Sequence, residues 1–273
     1  MKNRIDIEHG ILMSGPMVVA SLQDRKTMTR RVRGLERVND FPDNWFVSSV
    51  GILDLLGHKH QDKYGAFFRR HDTPEFCEFI PAPYGEPGDR LWVRETWATS
   101  RYMDLRPPSD TNNHGLPFWY AANNTVRYTG SLVGGVEFMS RGKWRPSIHM
   151  PRWASRITNE IVRIKPPERV SEISTEDAIK EGIFLNQHGV WQWTNDSGVG
   201  GADPVGAFRL LWNSINAKWK GVYHRRKLIA YVCYPWNEDD VPTVPKYVDK
   251  NNIPCRAYPN PYVWPIEFKR VMP

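Results

Sequence analysis

Three segments of the chain predict helices, one of them from apolar positions repeated at helical spacing. Ser14-Gly15-Pro16 reads as a helix start, with proline early, where its missing N–H costs little. Met17, Val18, Ala20 and Leu22 carry that helix to about Asp24. Ser174-Thr175-Glu176-Asp177 opens a second, short helix: Ser174 can cap it, and acids suit its first turn. Glu181-Gly182 ends it, glycine being the usual terminator. Asp203-Pro204 opens the longest one, with Phe208, Leu211, Trp212, Ile215 and Trp219 on one stripe. Other segments predict strands. Gly10–Met13 is a short apolar run, and Lys26–Arg33 is a basic strand. After the turn signal Pro83–Asp89, the segment Arg90–Trp97 alternates, with Leu91, Val93 and Glu95 on one face. Arg156–Ile164 and Tyr262–Val271 complete the strands.

Between these elements lie stretches in which Gly, Asp, Asn, His and Pro interrupt any period: 35–79, 98–144 and 221–257. The second has room for a hairpin or two. Without them the chain is the size of one ordinary domain. The pattern therefore predicts a single α+β domain over 1–273, a small, mostly antiparallel β-barrel with flanking helices and three insertions.

Composition narrows the class. The 273 residues hold 37 Lys+Arg against 30 Asp+Glu, a formal charge of +7, with 12 Trp. With 40% apolar residues, wholesale disorder is not expected. No run of about 18 apolar residues predicts a membrane span. The polar start Met1–Gly10 does not read as a secretory signal, and Cys77, Cys233 and Cys255 offer no disulfide framework. The expectation is a cytoplasmic protein without membrane contact. Cations and flat rings suit a nucleic-acid binder, although tryptophans can equally fill a core.

The basic residues gather in two places. In Arg25–Arg33 five of nine residues are basic, and on a strand Thr29, Arg31 and Arg33 share a face. Such a face can line an anionic groove or be an ordinary solvated edge. The second cluster is Arg141, Lys143, Trp144, Arg145, His149, Arg152, Trp153 and Arg156. Cations interleaved with rings fit a surface that holds phosphates and stacks a base. Trp153 leans towards core, and Trp144 divides evenly between core and platform. A third run, His224-Arg225-Arg226-Lys227, reads as an exposed loop or helix end. His58, His60 and His71 lack a metal-ligand spacing, so neither a metal nor another cofactor is expected.

The run Gln23-Asp24-Arg25-Lys26-Thr27-Met28-Thr29-Arg30-Arg31 resembles the signature of the ASCH domains, a branch of the PUA-like superfamily. Their pattern is Gly-x-Lys-x-x-Glu-x-Arg after a helix. Here Asp24 stands for the Gly and Thr29 for the Glu, while Lys26 and Arg31 match. Gly88–Trp97 and Met150–Arg156 are similar to segments that recur in large ASCH-like proteins of tailed phages and prophages. The resemblance implies a PUA-like barrel that binds nucleic acid, or a modified pyrimidine nucleoside, in a basic pocket. The ligand-binding residues would be Arg25, Arg30, Arg31, Arg33, Trp144, Arg145 and Arg152. The insertions would be free to contact a host protein; the oligomeric state is left open. Lys26-x-x-Thr29-x-Arg31 also resembles small amidohydrolases that deacetylate N(4)-acetylcytidine. That likeness implies an alternative: Thr29 as nucleophile, Lys26 as its base and Glu181 to orient Lys26 or shuttle a proton. The plain reading of the same residues is that Lys26 and Arg31 pair with acids, Thr29 packs by its methyl, and Glu181 ends a helix.

Overall fold

The computed structural model describes residues 7–111, 117–128, 140–194, 198–244 and 253–271. Parts of the second and third predicted insertions, 112–116, 129–139 and 245–252, lie outside the described residues. The class is α+β: short strands in several sheets, with few helices. Among the described residues no sheet closes on itself. The chain forms two compact units, each assembled from separated segments. One is Met1–Thr27, Pro87–Val162 and Phe268–Pro273; the other is Met28–Glu86 and Arg163–Glu267.

In the first unit, Glu8–Leu12 runs parallel to Arg90–Arg94, and Thr158–Glu160 pairs with Arg90–Trp92 antiparallel. The alternation of Arg90–Trp97 holds: Leu91, Val93 and Glu95 are buried, while Trp92 and Arg94 are half-exposed. Ile157 and Ile161 are buried, whereas Val162 faces out. The helix Gly15–Leu22 buries Met17, Val18 and Ala20. It ends in a Schellman turn: the Asp24 amide donates to Ser21 O and the Arg25 amide to Ala20 O. Asp24 sits at φ +55°, a left-handed position that favours glycine but that Asp tolerates better than most residues. The Lys26 amide also donates to Ala20 O, so this turn fixes where Lys26 leaves the helix.

In the second unit, Met28–Arg31 pairs antiparallel with Trp264–Glu267, and Glu168–Arg169 with Tyr262–Val263. The basic strand is shorter than predicted, and Arg33 lies beyond its end. The predicted helix starts hold. The Ser174 hydroxyl accepts the Asp177 amide at 3.1 Å, and the Asp203 carboxylate accepts the Gly206 amide at 2.8 Å. The second of these helices spans Pro204–Asn216, so Trp219 lies outside it and the exposed Ile215 leaves the buried stripe.

The stretches read as irregular each carry a three-stranded sheet. The first unit holds Trp97–Ala98, Pro117–Tyr120 and Thr125–Tyr128. The second holds Trp45–Ile52, Tyr64–Arg70 and Cys77–Pro81, and also Lys220–His224, Lys227–Cys233 and Cys255–Ala257. Among the described residues no helix is long and apolar enough to cross a membrane.

Candidate functional site

The predicted site residues are best followed unit by unit. In the second unit Thr29 and Arg30 are both buried, so the basic strand is covered on both faces and is no solvated edge. Arg30 is the hub of an ionic cluster. Its Nε and Nη2 donate to Glu168 Oε1 at 2.9 and 2.6 Å. Nη2 also donates to Asp177 Oδ2 at 2.8 Å, and Nη1 to Glu181 Oε1 at 3.3 Å. Lys165 Nζ closes the cluster on both Asp177 oxygens. The helix Thr175–Lys180 supplies Asp177, and Glu181 follows at its end; four residues apart, they share a face.

Two cations thus hold three carboxylates. Burial raises the Glu168 carboxyl above its ordinary value although Arg30 opposes this. Burial would also raise Asp177, but hydrogen bonds from Lys165 and Arg30 hold it below the ordinary value. The Arg30 guanidinium itself loses solvation by burial, and its acids more than restore the charge. Its side chain has no exposed surface, so it organises carboxylates inside the unit. Sequence reasoning named Glu181 but missed Glu168, Asp177 and Lys165. The i, i+4 spacing of Asp177 and Glu181 was the available signal. Arg31 is half-buried, and Arg33 is exposed with its guanidinium 5.6 Å from the Tyr84 ring.

In the first unit Lys26 is buried, and Arg25 donates from Nε and Nη2 to Gln23 Oε1. Several members of the second basic cluster are taken up by internal partners. Arg145 is buried; it donates to the carbonyls of Met103 and Arg106 and lies over Trp97. It therefore braces the 101–106 segment. Arg152 makes a bidentate pair with Glu8 at 2.6 and 2.9 Å, and its hydrogen bond holds the Glu8 carboxyl below its ordinary value. Arg156 pairs with both oxygens of the buried Glu95, whose carboxyl burial still keeps above its ordinary value. Trp153 packs against the buried cluster of Trp97, Met103, Phe118, Tyr120, Met150 and Ala154, as its core reading expects.

Arg141, Lys143 and Trp144 behave differently. All three are exposed at the surface. The Arg141 guanidinium lies 4.2 Å from the Trp144 ring centroid, and Trp144 as a whole remains 37% exposed. Asp104 anchors the segment by accepting the Lys143 amide at 3.0 Å. A guanidinium stacked on an exposed indole, with an exposed lysine next to it in sequence, can hold a phosphate and offer a ring to a base.

Elsewhere in the second unit a cleft of about 910 Å³ lies between the segments 39–44 and 255–260, with Arg169 at its side. None of the predicted site residues lines it. Among the described residues no three His, Cys, Asp or Glu side chains group as metal ligands would. Set against family models, curated proteins and solved structures, the chain matches none.

Proposed function

We propose that the chain is a PUA-like protein of the ASCH kind, a small barrel with flanking helices, that binds nucleic acid or a modified pyrimidine nucleoside in the cytoplasm of a phage host. The observation that carries the reading is the exposed Arg141–Trp144 stack with Lys143 beside it. A core tryptophan would be covered by apolar side chains. This one is met by a cation and stays exposed, an arrangement suited to stacking a base next to its phosphate. The binding set therefore centres on Arg141, Lys143 and Trp144, while Arg30 and Arg145 support the framework. Fluorescence anisotropy with labelled 12-mer single strands tests it. Trp144→Ala should weaken binding about tenfold or more, as loss of one stacked base does, and equal affinity would refute the proposal.

A second reading, an amidohydrolase that releases an acyl group from N(4)-acylated cytidine, has its own support. Lys26, Thr29 and Glu181 are each at least nine-tenths buried, at 4%, 3% and 3% exposure. An amine, a hydroxyl and a carboxyl withdrawn from water are the groups such a reaction needs. Incubation with N(4)-acetylcytidine tests it by chromatography. Cytidine and acetate should appear with the native chain and not with Lys26→Ala; no cytidine above that control refutes it.

A further inference from the structure

The run His224-Arg225-Arg226-Lys227 forms the tip of a hairpin in the second unit. Lys220–His224 and Lys227–Cys233 pair antiparallel, with His224 directly opposite Lys227. Only Arg225 and Arg226 lie between the strands, so this is a two-residue hairpin loop. Both have positive φ, +47° and +66°. That is the signature of a type I′ turn, which Asn-Gly fills without strain and which a long side chain enters at a cost. Two consecutive arginines are a poor choice for folding this loop. Strained backbone of this kind collects where function requires the side chain.

The setting shows what the side chains are offered to. Residues 223–227 are all exposed, with Tyr223 at 66%. Among the described residues none of His224, Arg225, Arg226 and Lys227 has an ion-pair partner. This contrasts with Arg30, Arg152 and Arg156, whose charges are met internally. A register shift between Val222 and Tyr223 marks a bulge, which increases the twist of the ribbon leading to the tip. Among the described residues only 231–233 also pair with Cys255–Ala257, so the end that carries the tip is a two-stranded ribbon. Such a twisted ribbon fits the major groove of B-form DNA, while the deep, narrow groove of A-form RNA excludes it.

We propose that the 220–233 hairpin is a DNA-binding ribbon: its tip enters the major groove of a duplex, where Arg225, Arg226 and Lys227 grip phosphates. This goes beyond the stacking platform at Trp144, which sits on the other unit and takes single strands.

The test separates charge from turn geometry. Arg225→Asn with Arg226→Gly gives the hairpin its preferred turn, so thermal stability should hold or rise. Affinity for a 20-base-pair DNA duplex should nevertheless fall about tenfold or more, and the slope of log K against log salt should shrink by about 1.8, two phosphate contacts' worth. Arg225→Lys with Arg226→Lys keeps the charge and should bind within about threefold of the native chain. The proposal is overturned if the native chain does not bind duplex DNA or prefers duplex RNA. It is also overturned if the Asn-Gly chain keeps its affinity and salt slope, or if the Lys-Lys chain loses binding as fully as the Asn-Gly chain. Trp144→Ala, measured with single strands, reports on the platform alone, so either idea can fail without the other.

Discussion

Replacing Arg30 by Met removes one guanidinium from among three carboxylates while keeping most of the side-chain volume. Asp177 would then keep Lys165, which reaches both its oxygens, while Glu168 and Glu181 lose their bonds to the guanidinium. Breaking a buried ion pair by deleting one partner costs about 3–5 kcal/mol, and the remaining Lys165 contact places this case in the lower half, at about 3–4 kcal/mol. For a chain of this size each kcal/mol moves the melting temperature by about 2–4 °C, so a fall of about 6–16 °C is expected at pH 7. The pH dependence has a definite sign. Glu168 titrates above its ordinary value in the folded chain, so its charge opposes folding above that pKa and the burden lifts on protonation. Asp177 titrates below its ordinary value, which stabilises the fold above the unfolded pKa and is lost as the pH falls through the folded one. Without Arg30, Asp177 loses part of what holds it down and Glu168 loses its opposing cation. The deficit should therefore shrink between pH 7 and pH 5. Melts followed by circular dichroism at both pH values measure it. A fall under about 2 °C, or an equal deficit at both pH values, would show that Arg30 is not the hub of the cluster.

Three further outcomes follow from particular contacts. Ser174→Ala removes the acceptor for the Asp177 amide and should cost about 1 kcal/mol in denaturant titration. Asp24→Val places a β-branched residue at φ +55° and should destabilise by at least about 1–2 kcal/mol, whereas Asp24→Gly should stay near neutral, since relief of the left-handed strain offsets the lost Arg270 pair. Burial pushes the Cys233 thiol up to about 11 while Cys77 is exposed, so iodoacetamide at pH 8 should alkylate Cys77 well before Cys233 in peptide mass spectra.

The helices were legible because their ends are written in local chemistry. Ser174 and Asp203 each cap a helix three residues from the amide they accept, within the reach of sequence pattern. Leu91, Val93 and Glu95 were legible for the same reason, as period-two alternation over a sheet with one buried face. The sheets within 35–79, 98–144 and 221–257 were not. Trp45–Ile52 leaves most of its positions partly exposed, and Gly65 interrupts its neighbour, so neither strand alternates cleanly. The Arg225-Arg226 loop was hidden because its hairpin lacks the Asn-Gly pair by which such turns are read. The fate of the cations was the least legible part. Arg30 meets its acids 138, 147 and 151 residues away, and Arg152 meets Glu8 across 144. A run of charge reads as surface until the fold brings partners to it, so the sequence favoured Arg30 and Arg145 as ligand contacts and gave Arg141 no special place.

The central claim is that nucleic acid stacks on the Arg141–Trp144 platform. Ultraviolet cross-linking of the full chain to a single-stranded oligonucleotide, followed by peptide mapping, locates the contact directly. The account predicts an adduct on the peptide that carries Trp144, lost on adding excess unlabelled strand. Adducts confined to peptides elsewhere in the chain, or no adduct at a concentration where the strand is bound, would contradict it.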